Sequence, residues 1–331
     1  MRIRSLAAAL TSTIALAACG GGGSTSAVAP APPIAVATNA PVVAPDVATI
    51  PMTIAIPRVT TSSAARAASW LSPSTAALAL YDGTTLIYVA NLFLDSSTQF
   101  VTVYAKSGST TVAPGSCSFT NSTATCTLTI TSTIGAHKFD LIAYPRSQGT
   151  QAQAAQRTVS DTGTPPTFVG VISSEGEISA TLSPGTNPGQ TLTMLGVASR
   201  VSIAGSANGP YNQATQFGYQ ILDSTNSQIV QPGAAYDNGP VTITAAPTGI
   251  VTIAPNSIST PPASVGDQFF SVTCVNANGG SVTISFNAAT TPNTAYASGL
   301  TYSTSNYASA VIATRAFSCD PSTATIPITV Q

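Results

Sequence analysis

Charged side chains are scarce in this sequence: only 6% of its 331 residues are Asp, Glu, Lys or Arg, and the formal net charge is −1 at pH 7. Soluble domains average about 25% charged residues. A nucleic-acid-binding protein needs a basic patch to contact phosphates, and this chain has no run of Lys or Arg that would form one. We therefore expect no nucleic-acid partner.

Histidine is nearly absent as well, since His137 is the only one. Any histidine-dependent general base would have to be this residue, and no Gly-x-Ser-x-Gly elbow accompanies it. Asp140, three residues further on, would lie on the opposite face of a strand. A surface histidine that enters a strand is the interpretation we favour. The chain is therefore expected not to be an enzyme.

Metal ligands are also few, because the chain has no Cys-x-x-Cys pair and a single histidine. Glu175 and Glu177 form the one close glutamate pair, which in a strand would share a face and allow a glycosidase or calcium role. Gly176 between them and the two serines before them favour a solvated turn instead. We expect neither a metal site nor a cofactor.

Long apolar runs are missing too, since no stretch after the N-terminus approaches the 18 uninterrupted apolar residues typical of a membrane-spanning helix. At the N-terminus, Arg2 and Arg4 precede an apolar run from Leu6 to Leu16, which is about half the length needed to cross a bilayer. Small residues follow directly before Cys19. This arrangement predicts a bacterial signal peptide over residues 1–18.

The ending Leu16-Ala17-Ala18-Cys19 resembles the lipobox of bacterial lipoproteins. The resemblance implies that residues 1–18 are removed, that Cys19 is acylated, and that the lipid bilayer is the protein's first partner. Gly20 stands where an inner-membrane lipoprotein commonly has aspartate, so the resemblance implies an outer-membrane or cell-surface location in a cell with two membranes. An ordinary secretory signal with an incidental Cys19 is the alternative.

Composition changes twice after Cys19. Residues 19–50 are rich in Gly, Ala, Ser and Pro and are predicted to be a disordered tether. From about Met52 the pattern is one of short runs with period two, such as Ala77 to Tyr81 and Phe100 to Tyr104, separated by turn residues such as Asp82-Gly83. This pattern predicts an all-β fold of two antiparallel β-sandwich domains, over residues 51–198 and 199–331.

Four cysteines remain after Cys19, an even number in an exported chain. Three pairings are possible. Chain order favours Cys117 with Cys126, in a predicted hairpin, and Cys274 with Cys319, in two predicted strands of the second domain. We predict these two structural disulfides, one in each domain.

Several segments together resemble bacterial immunoglobulin-like surface lipoproteins. They are Ile54 to Pro57, Ser62 to Arg66, Trp70 to Thr75, Ile221 to Val230 and Val241 to Thr244. The resemblance implies that the two sandwiches are immunoglobulin-like. It carries no function of its own, because sandwiches host many unrelated activities.

Tyr296, Tyr302 and Tyr307 lie in a polar stretch between predicted strands. Tyrosine with short polar neighbours is typical of binding loops, so residues 290–308 are a candidate contact for glycan or another surface protein, although tyrosines that cap the core are the more frequent case. The expected function is a membrane-anchored surface lipoprotein with a structural or adhesive role. The alternative is a carbohydrate- or small-ligand-binding surface module.

Overall fold

The period-two pattern forms β-strands throughout the part of the chain that the structure describes. This structure is a computed structural model, and it describes residues 46–57, 71–93, 99–106, 110–119, 123–148, 171–231, 234–290 and 310–322. Every helix or strand assigned within these ranges is a strand, so the prediction of an all-β fold is confirmed. None of the described residues belongs to a helix that could span a membrane.

The first two sheets are built from residues 47–196. Their strands are β1 (Val47–Pro57), β2 (Ala77–Asp82), β3 (Thr85–Phe93), β4 (Gln99–Ala105), β5 (Thr111–Phe119), β6 (Thr123–Thr133), β7 (Gly135–Tyr144), β8 (Ser174–Leu182), β9 (Gly185–Thr186), β10 (Gln190–Thr191) and β11 (Thr193–Gly196). Sheet 1 has the order β10-β1-β6-β5, with β9 also on β1, and sheet 2 has the order β11-β8-β7-β2-β3-β4. The long strand pairs are antiparallel.

Sheets 1 and 2 share one core, which makes them a sandwich. Ile50 and Met52 of β1 and Leu128 of β6 pack in the same buried cluster as Leu80 of β2 and Leu141 of β7. The other face of sheet 2 is buried as well, because Ala79, Val89 and Ile142 of this face form a separate apolar cluster with Ile172 and Val197. A strand buried on both faces has no reason to alternate, which explains the continuous apolar run of β2.

Sheets 3 and 4 are built from residues 200–319. Their strands are β12 (Arg200–Gly205), β13 (Asn208–Gly209), β14 (Ala214–Leu222), β15 (Val241–Ala246), β16 (Val251–Ala254), β17 (Ser257–Ile258), β18 (Gln268–Cys274), β19 (Gly280–Asn287) and β20 (Val311–Cys319). Sheet 3 has the order β12-β14-β18-β16 and sheet 4 the order β13-β20-β19-β15-β17. Without the two-residue strands β13 and β17, this is the strand order of a constant-type immunoglobulin sandwich, ABED against GFC.

An aromatic cluster fills this second sandwich. Phe217 of β14 stacks on Phe270 of β18 with ring centroids 5.1 Å apart, and Phe317 of β20 meets Phe217 edge-on at 5.6 Å. Phe286 of β19 meets Phe270 edge-on at 5.5 Å. Since these rings come from both sheets, they hold sheet 3 against sheet 4 through burial and offset aromatic contact.

The chain passes from the first sandwich to the second through buried residues. Val197 and Ala198 are fully buried, and the side chain of Asn238 accepts a hydrogen bond from Ala198 N at 2.8 Å. The same side chain donates to the carbonyl oxygens of Ala198 at 2.9 Å and Ala289 at 3.1 Å. Gln231 of the second sandwich also donates to the carbonyl oxygen of Met194. We call residues 194–199 together with Asn238 the junction.

Some predicted elements differ from the structure. β1 begins at Val47, inside the segment predicted to be tether. Asn208-Gly209, a pair of residues typical of turns, is the short strand β13, which runs parallel to the end of β20. The domain boundaries and the tether otherwise stay predictions. The sequence pattern also indicates a short helix at Gln151 to Gln156 and a strand at Thr325 to Val330, and both segments lie outside the described residues.

Candidate functional site

The predicted functional residues fall into two groups. Cys19 and the three tyrosines of the candidate binding loop, Tyr296, Tyr302 and Tyr307, lie outside the described residues, so lipidation and loop binding stay predictions. The other four cysteines lie on described strands of the two sandwiches.

The disulfide between Cys274 and Cys319 is present, with the two Cα atoms 5.7 Å apart. It connects the end of β18 in sheet 3 with the end of β20 in sheet 4, and both residues are buried. In antibody domains the bridge joins strands B and F, whereas here it joins the strands that correspond to E and G. In the first sandwich Cys126 is disulfide-bonded, and Cys117 is the residue that faces it across the β5–β6 ladder.

His137 lies on β7 with its side chain largely shielded from solvent, not on the open surface that we expected. Its Nδ1 is 2.8 Å from a carboxylate oxygen of Asp82, and its Nε2 is 2.9 Å from the carbonyl oxygen of Thr133. Each ring nitrogen therefore faces an oxygen atom that can only accept a hydrogen bond. A general base needs a ring nitrogen that faces the hydroxyl group or water it deprotonates, and both nitrogens of His137 make other contacts.

A cavity of about 530 Å³ lies beside this pair and is lined by Asp82, Gly83 and residues 136–138 and 179–181 of β7 and β8. Ser179 is one of the lining residues, and its hydroxyl group is the candidate nucleophile of this cavity. Because Nε2 of His137 is bonded to Thr133, the cavity has a serine and a histidine–aspartate pair without the connection that a catalytic triad needs.

Glu175 and Glu177 do not form a solvated turn, so that expectation is wrong. Both lie on β8, and Glu175 is almost fully buried on the same face of sheet 2 as Asp140 of β7, which is opposite Glu177 in the ladder. Tyr144 lies on this face too, and burial raises the pKa of its phenol well above the usual value, with the nearby carboxylates adding to the effect. Among the described residues no three His, Cys, Asp or Glu side chains form a group suited to a metal ion.

Comparison with known proteins found no matching family model and no matching curated protein. Among solved structures, the chain is similar to the adhesin InvE of Yersinia pseudotuberculosis, with a TM-score of 0.25 and 14% sequence identity. The similarity covers 72% of this chain and 55% of the adhesin chain. The chain therefore spans little more than half the length of that protein.

The outer face of sheet 3 carries an exposed strip that the sequence pattern did not single out. Phe269 of β18 is 56% exposed and Val265, just before that strand, is 65% exposed. Between them the carboxylate of Asp267 accepts a hydrogen bond at 2.8 Å from the side-chain amide of Gln220 on β14. We call Val265, Asp267, Phe269 and Gln220 the sheet 3 strip.

Gly218 makes room for this arrangement. It faces Phe269 directly in the β14–β18 ladder, and a Cβ atom at this position would lie 3.2 Å from Oδ2 of Asp267. The carboxylate therefore lies over the glycine, next to the exposed aromatic ring. A glycine inside a strand often marks a place where another group approaches the backbone closely, and Gly218 is the one signal that the sequence offered for this strip.

Proposed function

We propose that this chain is a lipid-anchored protein of a bacterial cell envelope, displayed at the outer membrane or cell surface, with a structural or adhesive role and no catalysis. The observation that carries the proposal is the Leu16-Ala17-Ala18-Cys19 sequence behind a short apolar run. The low charge and the two sandwiches suit an exposed module. The two bonds of His137 argue against a histidine-dependent reaction.

Metabolic labelling with an alkyne analogue of palmitate tests the anchor. We expect the parent chain to carry the label and to fractionate with membranes, and Cys19→Ser to lose the label and leave the membrane fraction, because anchoring depends on the acyl chains. The matched control is Cys117→Ala/Cys126→Ala, which removes two cysteines and leaves Cys19 in place, so that it stays labelled. An unlabelled parent chain would contradict the proposal.

Carbohydrate binding is the second candidate function, and the sheet 3 strip favours it. A sugar ring presents C–H groups to an aromatic face and hydroxyl groups to carboxylates and amides. The strip offers all three partners, with the ring of Phe269 beside the carboxylate of Asp267 and the amide of Gln220. A few polar groups placed around an apolar contact give such sites their specificity.

A glycan array probed with fluorescent protein tests this second candidate. We expect Phe269→Ala to weaken binding to the glycans that the parent recognises by roughly tenfold or more, because exposed aromatic anchors contribute most of the energy of small interfaces. Val311→Ala is the matched control, since Val311 is also exposed but lies on sheet 4. Loss of binding only in Tyr296→Ala/Tyr302→Ala/Tyr307→Ala would move the site to residues 290–308.

A further inference from the structure

Sheet edges are a hazard for any β-sandwich, because their unpaired backbone groups can accept a strand from another molecule. Among the residues that the structure describes, sheet 4 of the second sandwich ends in β13 and β17, which have two residues each. Sheet 3 ends on one side in β16, which has four residues and is followed by Pro255. On the other side it ends in β12, whose six residues make it the longest of these four edges.

Arg315 covers this longest edge. It lies on β20 of sheet 4, yet its guanidinium donates hydrogen bonds to the carbonyl oxygens of Ile203 and Gly205, both on β12 of sheet 3. The guanidinium carbon also lies 5.6 Å from the centroid of the Phe217 ring, within the range of a cation–π contact. The side chain of Arg315 thus connects sheet 4 with the β12 edge of sheet 3.

The direction of the side chain is unusual for a cation. Arg315 faces Ile284 in the β19–β20 ladder, and Ile284 is a fully buried core residue, so Arg315 belongs to the inner face of sheet 4. Facing residues of an antiparallel ladder lie on the same side of the sheet. The side chain of Arg315 therefore crosses the inside of the sandwich and places its charge at the β12 edge. A charged side chain at a sheet edge is one of the devices by which natural proteins discourage edge-to-edge pairing.

We propose that Arg315 blocks strand addition at the β12 edge, and that the strand it keeps out is β12 of a second copy of this chain. An antiparallel pair of β12 strands is two-fold symmetric, so each strand makes the same backbone hydrogen bonds to the other. While the guanidinium occupies the carbonyl oxygens of Ile203 and Gly205, a second strand cannot bond to them. This role concerns assembly and does not depend on lipidation or on glycan binding.

Light scattering coupled to size exclusion tests the proposal on the full chain. We expect the parent to elute as a monomer over a range of concentrations and Arg315→Met to shift towards twice that mass as the concentration rises. Methionine retains the apolar length of the side chain and removes both donors. Arg200→Met is the matched control, because Arg200 also lies on β12 but its guanidinium bonds the Asn226 side chain, and we expect it to stay monomeric.

A second set of variants locates the contact. Ser202 and Ala204 are exposed on β12, and Ser202→Lys/Ala204→Lys added to Arg315→Met would place like charges opposite each other across a β12 pair. We expect this triple variant to return to the monomer. A folded Arg315→Met that stays monomeric at every concentration overturns the proposal, and so does a dimer that the two lysines leave unchanged.

Circular dichroism reports whether Arg315→Met folds. If it does not, Arg315→Lys decides the question, because an ammonium group retains the charge but cannot bridge two carbonyl oxygens as the planar guanidinium does. A folded Arg315→Lys that dimerises with rising concentration supports the proposal, and one that remains monomeric overturns it.

Discussion

Replacing both Cys274 and Cys319 by alanine is expected to lower the free energy of unfolding of the second sandwich by about 4 kcal/mol. The two cysteines are separated by 45 positions, and closing a loop of that size removes about this much conformational freedom from the unfolded chain. For a domain of this size the midpoint of thermal unfolding should fall by roughly 10 to 20 °C. Calorimetry of the parent and the double variant measures the difference.

The control for this experiment is the parent protein after reduction. Reduction also breaks the bond of Cys126 in the first sandwich, so the alanine variant is reduced in the same way. The reduced parent and the reduced alanine variant should then unfold at similar temperatures. Alanine is preferable to serine because both sites are buried and a hydroxyl group there would need a hydrogen-bond partner. A loss below about 1 kcal/mol would show that the unfolded chain gains little freedom when the bridge is removed.

The second large effect is expected at the junction, where Asn238→Ala should cost about 3 kcal/mol. The side chain is 1% exposed and makes three hydrogen bonds, two with Ala198 and one with Ala289. Alanine would leave the backbone N–H and carbonyl groups of the fully buried Ala198 without these partners, and each unsatisfied buried group costs about 1–3 kcal/mol. Ala289 is exposed, so water can replace its bond. Denaturant unfolding measures the loss, and partial proteolysis should show faster cleavage within residues 194–199.

Asn287→Ala is the matched control for the junction. Asn287 is half-buried, and its side-chain amide donates to Thr244 and to the carbonyl oxygen of Ser285, both within the second sandwich. We expect its loss to cost less than about 1 kcal/mol, since water can replace these bonds, and to leave the cleavage rate at residues 194–199 unchanged. Equal effects of the two substitutions would contradict a special role for Asn238.

The sequence predicted the strands well where one face of the sheet is exposed. Runs such as Phe217 to Leu222 and Ser281 to Phe286 alternate because one side packs in the core and the other meets solvent. The alternation also placed Cys274 and Cys319 on two strands of the second domain, and chain order led to the pairing that the structure has. Strand order could not be predicted in this way, because period two states which face is buried but not which strand lies next to which.

The positions of the buried polar residues were harder to predict, because they depend on partners that are distant in the sequence. Asn238 and the preceding Asp237 are turn formers in the sequence, yet both are buried, and Asp237 N donates to the carbonyl oxygen of Gly196 in the first sandwich. Glu175 was assigned to a solvated turn because Gly176 follows it, whereas the strand places that glycine against Met194 of β11. Local residue preferences cannot report such contacts, which join positions far apart in sequence.

The position of the disulfide has a mechanical consequence. A pull along the chain, such as drag on a protein held at one end, would pass from Cys274 through the sulfur atoms to Cys319. The residues between these two cysteines lie in a covalently closed loop, so tension would bypass both β19 and the stretch that contains Tyr296, Tyr302 and Tyr307. Even if the rest of the second sandwich were extended, this part of the chain could not be pulled straight until the bond was reduced.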